Sequence, residues 1–303
     1  MSFNLRLTLP ILAAAVCWAQ PRPPALKSPE VHPDGTVTFR LAAPKAVEVR
    51  IAGDIVKAPV PLQKDEKGVW TLTLGPLQPD LYGYRFSVDG ITVVDPSNQR
   101  RPATAVEVPG DGPASYDLRS VPHGAVQERW YTSKTLDMVR RAYIYTPPGY
   151  EKASTRYPVL YLLHGAGGDD SGWIESGRAN LIFDNLMADG KLKPLVLVMP
   201  YGYAYQPTSP LAGGTDAMKR QRSGFERDLI EDLIPFVQTN YRVFADRGHR
   251  AIAGLSLGGG QALGIGLSHQ EVFSPWRSTE RAHTWLVWRR YLAEVAPQLF
   301  PAS

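Results

Sequence analysis

The sequence has little cysteine and no long apolar run. Cys17 is the only cysteine among the 303 residues, so a disulfide bond within the chain is excluded. The apolar stretch near the N-terminus, residues 7–18, is shorter than the roughly 20 residues that a membrane-spanning helix needs. We therefore predict that the protein has no membrane span.

Clusters of basic residues are also missing. The net charge is +4, but the lysines and arginines are spread along the chain, and only isolated pairs such as Arg140 with Arg141 stand together. A nucleic-acid-binding surface needs a basic patch or stripe, so nucleic-acid binding is not predicted. The composition, 44% hydrophobic and 20% charged residues, is that of an ordinary globular protein, and the length suits one large or two ordinary domains.

The first 19 residues have the pattern of an export signal. Arg6 is followed by the apolar stretch 7–18, and Cys17, Trp18 and Ala19 form a small-x-small cleavage site. A lipidated Cys17 is disfavoured because Val16 suits such a site poorly, and an ordinary disordered N-terminus does not explain the apolar core. The prediction is a signal peptide over residues 1–19 and a secreted or periplasmic protein.

Residues 28–95 alternate apolar and polar residues with short turns between them, as strands do. Asp89-Gly90 between two apolar stretches is typical of a two-residue hairpin. The pattern predicts an all-β sandwich of the immunoglobulin-like kind. Trp70, Tyr82 and Tyr84 either stack on sugars or belong to the core, and aromatics in alternating strands favour the core.

Residues 96–121 are rich in Pro, Gly, Ser and Asp and are predicted to be a linker. The remainder, residues 122–303, alternates strand and helix patterns, which predicts a wound α/β sheet. The continuous apolar runs 157–163 and 194–199 suit parallel strands covered on both faces. Helices are predicted over residues 178–188 and 225–241, the second kinked at Pro235.

A serine lies between two glycines at Gly254, Ser256 and Gly258. An apolar strand pattern precedes this G-x-S-x-G sequence and a helix pattern follows it, as in the nucleophile elbow of α/β-hydrolases. Glycines let the strained turn present the serine hydroxyl, and the N–H of Leu257 would face a developing oxyanion. The alternative is a glycine-rich loop without catalytic function, and the flanking strand and helix favour the nucleophile.

A second glycine-rich stretch, residues 164–168, follows directly on the apolar run that ends at Leu163. In an α/β-hydrolase this loop supplies the second oxyanion donor, and Ala166 is the candidate for it. The alternative is a phosphate-binding loop, but no Gly-Lys-Ser/Thr sequence follows. His164 is interpreted as structural.

A serine nucleophile needs a histidine that takes its proton. His283 is the candidate, because it follows the elbow in the chain order of the α/β-hydrolase triad. The other five histidines stand elsewhere. His32 is in the predicted sandwich, His123 in the linker and His164 in the glycine-rich loop. His249 is at the wrong end of the elbow strand, and His269 is at the far end of the elbow helix. The alternative for His283 is a surface residue of the last helix.

Several further motifs give the chain a family resemblance. It resembles secreted esterases of the esterase-D/feruloyl-esterase type, carbohydrate esterase family one, over residues 28–275. The matching stretches are 163–168 with Trp173, 231–235, 241–243, 253–262 and the tail 283–292.

The resemblance implies an N-terminal early-set domain, related to carbohydrate-binding modules, before an α/β-hydrolase domain over residues 122–303. It also implies a serine carboxylesterase without metal or cofactor, acting on feruloyl or acetyl esters of plant polysaccharides. Related scaffolds cleave siderophore esters of the enterochelin type or transfer acyl groups.

The chain departs from the family after the elbow helix. The family has three more strands there, and the triad acid follows the second of them. Here only 283 − 256 = 27 positions separate Ser256 from His283, so the stretch 270–283 looks internally deleted. Glu271 and Glu280 are the acidic residues available, neither stands at a strand end, and no triad acid is assigned.

Two expectations follow from this deletion. The elbow strand becomes an edge strand with unpaired backbone groups, so the monomer is expected to be unstable, to aggregate or to dimerise. The alternative function is a crippled or non-catalytic hydrolase scaffold with a carbohydrate-binding role.

Overall fold

The computed structural model describes residues 26–99, 104–205, 214–274 and 284–300. The predicted export signal at residues 1–19 lies outside these ranges, as do Cys17, Glu280 and His283. No helix within the described ranges combines the length and the apolar character that crossing a membrane requires.

The N-terminal part of the chain is all β. Strands β2 and β6 pair antiparallel in a sheet of order β1-β2-β6-β5, and β3 and β8 pair antiparallel in a sheet of order β4-β3-β8-β9. The strands are β1 (Glu30–Val31), β2 (Val37–Ala42), β3 (Val49–Ala52), β4 (Val60–Pro61), β5 (Gln63–Lys64), β6 (Val69–Leu74), β7 (Asp80–Gly83), β8 (Arg85–Val88), β9 (Ile91–Val93) and β10 (Ala105–Val108).

The predicted alternation explains how these sheets bury one core. Val37, Phe39 and Leu41 project from β2 to the same side and join a single apolar cluster with residues of β3 and β8. Trp70, Tyr82 and Tyr84 belong to that cluster and are at most 8% exposed. The core interpretation of these aromatics is confirmed.

The Asp89-Gly90 hairpin is confirmed. Asp89 and Gly90 join β8 to β9 with φ values of 49° and 86°, and positive φ at both central residues is the mark of a type I′ turn. Farther on, β10 lies inside the segment 96–121 that the sequence predicts to be a linker. It pairs antiparallel with β7, and its Val106 and Val108 are buried in the apolar cluster of the sandwich.

The C-terminal part is a five-stranded mixed sheet with helices. The strand order is β11-β12-β14-β13-β15; β13 runs parallel to β14 and β15, and β11 and β12 run antiparallel to their neighbours. The strands are β11 (Ala125–Ser133), β12 (Met138–Thr146), β13 (Val159–Leu163), β14 (Val196–Pro200) and β15 (Arg250–Gly254).

Both faces of this sheet are covered, as the continuous apolar runs predict. Val159, Tyr161 and Leu163 enter one apolar cluster, and Leu160 and Leu162, which alternate with them along β13, enter the other. All five side chains of β13 are at most 2% exposed. An apolar run without polar alternation is therefore the pattern expected of a strand with helices on both sides.

The helices are α1 (Gly172–Glu175), α2 (Ala179–Ala188), α3 (Gly214–Arg227), α4 (Ile234–Asn240), α5 (Leu257–Ser268) and α6 (Trp285–Leu299). A π-helical segment, Asp228–Leu233, joins α3 to α4. The helix predicted over residues 225–241 is therefore part of a longer helical run. The irregularity of this run, the π-helical segment, ends directly before Pro235, which is in the first turn of α4. Proline has no N–H to donate to the preceding turn.

Strand β15 pairs only with β13 among the described residues, so the strand before the elbow is an edge of the described sheet. Helix α5 follows it, and its side chains Leu257, Leu263 and Leu267 are 36–57% exposed. The edge position agrees with the short interval between Ser256 and His283.

Candidate active site

Two glycine-rich loops start side by side at one end of the mixed sheet. Strands β13 and β15 are parallel neighbours, and their register pairs Leu163 with Gly254. The loop that begins at His164 and the turn that carries Ser256 therefore leave the sheet together. The carboxyl ends of parallel strands are where α/β proteins place ligands.

Ser256 occupies a strained turn between β15 and α5. Its φ is 53° and its ψ is −117°, outside the conformations that residues other than glycine normally adopt. Such a residue costs on the order of 1–3 kcal/mol and persists where the surrounding structure holds it. Ser256 is exposed, and no described side chain hydrogen-bonds to its hydroxyl. The turn thus presents a serine hydroxyl at the surface.

The glycines around Ser256 are required by close packing. A Cβ at Gly258 would lie 2.5 Å from the carbonyl oxygen of His164, and one at Gly254 would lie 2.5 Å from the carbonyl carbon of Gly258. A Cβ at Gly165 would lie 2.4 Å from Leu255 Cδ1 and 3.3 Å from the Ser256 Cβ. These contacts bring the loop 164–168 against the serine.

The backbone N–H groups of the loop differ in what they donate to. The N–H of Gly167 donates to the Tyr203 hydroxyl at 2.8 Å, and that of Gly168 donates to the Gly165 carbonyl at 3.2 Å. Within the described part of the chain, the N–H groups of Ala166 and Leu257 have no acceptor. Both residues are exposed beside the serine turn.

His164 holds the loop from below. Its Nε2 accepts the N–H of Gly202 at 2.8 Å, so its Nδ1 carries the proton and donates to the Gly165 carbonyl at 2.8 Å. Burial lowers the pKa of His164 below its usual value because the charged form is desolvated. A neutral histidine with both nitrogens engaged is a structural residue, as the sequence predicts.

A buried arginine, Arg140, anchors the loop after strand β14, and the sequence did not predict it. This loop reaches the site through Tyr203. Arg140 donates to the carbonyls of Tyr201 and Tyr203, the latter at 2.6 Å, and pairs with Asp228 at 3.1 Å. The side chains of Arg140 and Asp228 are 3% and 0% exposed. The only sequence signal was an arginine within an apolar strand pattern.

His283, the predicted base, lies outside the described residues. Helix α6 begins two residues after it and packs on helix α1, because the Trp285 ring lies 5.3 Å from that of Trp173. The indole of Trp173 in turn donates to the carbonyl of Leu163, the last residue of β13, at 3.0 Å. The other described histidines each have a partner away from Ser256, namely Thr38 for His32, Asp184 for His123, Asp246 for His249 and Glu226 for His269.

No described carboxylate is placed as the triad acid by these contacts. Glu271 is exposed and lies 3.3 Å from His269, and the elbow helix α5 separates it in sequence from Ser256. In the described ranges, no group of three His, Cys, Asp or Glu side chains is arranged to hold a metal ion.

The mixed sheet with an exposed, strained serine between β15 and α5 defines the chain as an α/β-hydrolase preceded by an all-β domain. Comparison with known families agrees. The model of the Esterase family matches residues 133–298, more than half of the chain, and the chain belongs to that family. The model of carbohydrate-binding module 48 (isoamylase N-terminal domain) matches residues 28–98.

Individual relatives include xylan-degrading enzymes. The chain is 36% identical over 265 residues to an endo-1,4-beta-xylanase/feruloyl esterase of Xylanibacter ruminicola; the match covers 84% of the chain and 36% of that protein. It is 28% identical over 178 residues to endo-1,4-beta-xylanase Y of Acetivibrio thermocellus, covering 54% of the chain and 15% of that protein. The chain thus spans about a third or less of these relatives.

The fold is shared with a solved structure over most of the chain. The enterochelin esterase of Shigella flexneri superposes with a TM-score of 0.60 at 17% identity, covering 90% of this chain and 85% of that one. At this identity the likeness concerns the fold.

Proposed function

We propose that the chain is a secreted serine carboxylesterase that hydrolyses feruloyl or acetyl esters on plant polysaccharides. The observation that carries the proposal is the exposed Ser256 at φ 53°, held between β15 and α5. Secretion rests on residues 1–19, which are proposed to be removed as a signal peptide. The sandwich over 28–95, the segment 96–121 and the hydrolase domain over 122–303 are the proposed parts of the exported protein.

The proposed reaction has two steps. The Ser256 hydroxyl oxygen attacks the ester carbonyl while His283 takes its proton, and the N–H groups of Leu257 and Ala166 stabilise the oxyanion. The C–O bond to the alcohol breaks, and the alcohol leaves with the proton from His283. A water molecule then attacks the acyl-serine while His283 takes its proton. The bond between the acyl carbon and Ser256 Oγ breaks, His283 returns the proton to Oγ, and the acid leaves.

The substrate class is supported by the Xylanibacter ruminicola relative, whose name joins xylanase and feruloyl esterase in one protein. A polysaccharide-linked ester is therefore the proposed substrate. Hydrolysis of a siderophore ester of the enterochelin type is the alternative within the same chemistry, and the Shigella flexneri structure supports the fold alone.

A second candidate function is a hydrolase scaffold that binds carbohydrate without turnover. It is favoured by one observation: none of the described carboxylates is identified as a triad acid, and the described sheet ends at β15. Loss of the orienting carboxylate costs about ten-thousandfold in serine hydrolases, so this candidate predicts very slow hydrolysis.

Hydrolysis of methyl ferulate and of acetylated xylan by the purified full chain separates the two candidates. The esterase proposal predicts turnover that Ser256→Ala and His283→Ala both abolish. His249→Ala is the matched control, because His249 bonds to Asp246 at the opposite end of β15. Turnover that survives in Ser256→Ala would refute the proposal, and absence of turnover in the wild type would favour the scaffold.

A further inference from the structure

A groove of about 320 Å³ lies on the hydrolase domain, between the hairpin of β11 and β12 and the loop that follows β14. The hairpin supplies Trp130, Met138 and Val139 to its walls, and the loop supplies Tyr203 and Tyr205. Its volume is at the lower end of the roughly 300–1,000 Å³ of small-molecule sites. Among the described residues, its walls include neither Ser256 nor any part of the N-terminal domain. The groove is therefore distinct from the serine turn.

The groove exposes a continuous apolar surface. Trp130 is 57% and Val139 is 62% exposed, and Met138 and Tyr205 are exposed in the same groove. Single exposed apolar side chains are ordinary on a protein surface, whereas a contiguous patch of them marks a binding surface. Because these four side chains share one groove, they indicate a site that a ligand covers.

The Trp130 ring is exposed and yet held in place. Its indole N–H donates to Glu128 Oε1 at 3.0 Å, and the Tyr143 hydroxyl donates to the other oxygen of that carboxylate at 3.0 Å. The Arg141 guanidinium lies 5.7 Å from the centre of the ring and donates to both oxygens of the buried Asp170 at 2.7 Å. A ring fixed in this way loses little freedom when a ligand packs on it.

The charges of the groove are compensated within the protein. The charged residues among its described walls are Arg140, Arg141 and Asp170. Arg141 pairs with Asp170, and Arg140 pairs with the buried Asp228 at 3.1 Å. Since complementary charge is what selects an ionic partner, a groove whose charges are already paired suits a neutral ligand.

Two tyrosine hydroxyls add hydrogen-bonding groups to the apolar surface. The Tyr203 hydroxyl accepts the N–H of Gly167, and its own proton has no acceptor among the described residues. The exposed Tyr205 hydroxyl has no described partner. A phenol both donates and accepts, as a sugar hydroxyl does. The bond to Gly167 also places the groove beside the loop 164–168, which packs against Ser256.

We propose that this groove is an accessory site that binds the main chain of a neutral polysaccharide, with Trp130 as the stacking surface and the Tyr203 and Tyr205 hydroxyls as hydrogen-bonding partners. The inference rests on the proposed esterase function and adds a second point of attachment for the polymer. The negative face of an indole attracts the C–H hydrogens on the apolar face of a pyranose ring. The hydroxyls at the edge of that ring then meet the tyrosines.

Calorimetric titration of the full chain with xylohexaose, which carries no ester, tests the site without turnover. Trp130→Ala is expected to raise the Kd about tenfold or more, as truncation of an aromatic anchor does, and Trp130→Phe should restore most of the affinity. The variant is expected to fold, because Arg141 keeps its pairing with Asp170. Leu118→Ala is the matched control, since it removes another exposed apolar side chain, 76% exposed and outside the groove.

The inference is overturned if the wild type does not bind xylohexaose, or if Trp130→Ala and Leu118→Ala bind it as the wild type does. An equal rise of the Kd in both variants would also overturn it, because the effect would then not depend on the groove. Far-UV circular dichroism of each variant checks that the fold is kept.

Kinetics separate this inference from the esterase proposal. Trp130→Ala is expected to lower the ratio of kcat/KM for feruloylated arabinoxylan to that for methyl ferulate about tenfold or more. An equal loss on both esters would assign the groove to the acyl group and overturn the accessory site. If neither ester is hydrolysed while xylohexaose binding still depends on Trp130, the esterase proposal fails and the sugar site stands.

Discussion

Replacing Arg289 is expected to loosen the contact between the two domains. Its guanidinium donates to Asp80 at 2.9 Å, to the Leu81 carbonyl at 2.6 Å and to the Ser176 carbonyl at 2.9 Å, and it lies 4.8 Å from the Tyr116 ring. The side chains of Arg289 and Asp80 are 1% and 3% exposed. Asp80 keeps Arg290 and the Tyr116 hydroxyl as partners after this substitution, so its charge is not left uncompensated. Arg289→Met should therefore lower the free energy of unfolding by about 1–3 kcal/mol, the cost of leaving buried hydrogen-bonding groups unpaired.

Arg290 provides a matched control, because it bonds to the same carboxylate at 2.9 Å but is 63% exposed. Exposed ion pairs contribute about 0–1 kcal/mol, so Arg290→Met should change stability by less than about 1 kcal/mol. Urea unfolding followed by tryptophan fluorescence and far-UV circular dichroism measures both variants. Equal effects of the two substitutions, or a loss below about 1 kcal/mol for Arg289→Met, would refute the reasoning from burial.

Three further outcomes are expected. Gly258→Ala should abolish methyl ferulate hydrolysis and lower the melting temperature, because its Cβ would lie 2.5 Å from the His164 carbonyl oxygen, whereas Gly260→Ala, with open space around it, should do neither. Because burial raises the pKa of Asp54 from 3.8, the folded state holds more protons than the unfolded state as the pH rises past that value. Wild-type stability relative to Asp54→Asn should therefore fall as the pH rises from 3.8 through the folded pKa and stay level above it; a difference that grows with pH in thermal melts would contradict this. Since β15 is an edge of the described sheet and Leu267 of the following helix α5 is 57% exposed, the chain should self-associate with concentration and Leu267→Lys should weaken this. Equal sedimentation of both proteins as monomers would count against it.

Local patterns predicted much of the fold. The apolar run 157–163 gave β13, and Asp89-Gly90 gave its hairpin, because each depends on residues adjacent in the chain. The strand, turn and helix around Ser256 were predicted for the same reason. Periodicity reports which face of a strand or helix is buried, and that information lies within a few neighbouring positions.

Long-range contacts were not predictable in this way. Arg289 and Asp80 are separated by 209 positions and Tyr203 and Gly167 by 36, and nothing in either local sequence marks the partner. Strand β10 escaped prediction because four residues between prolines and glycines give too short an alternation.

The central claim, that Ser256 is an activated nucleophile, is tested most directly by mass spectrometry after labelling with a fluorophosphonate. We expect one phosphonyl adduct on the full chain, located by peptide mapping to Ser256 and absent from Ser256→Ala. A chain that stays unlabelled while a serine esterase treated in parallel reacts fully, or an adduct on another residue, would contradict the claim.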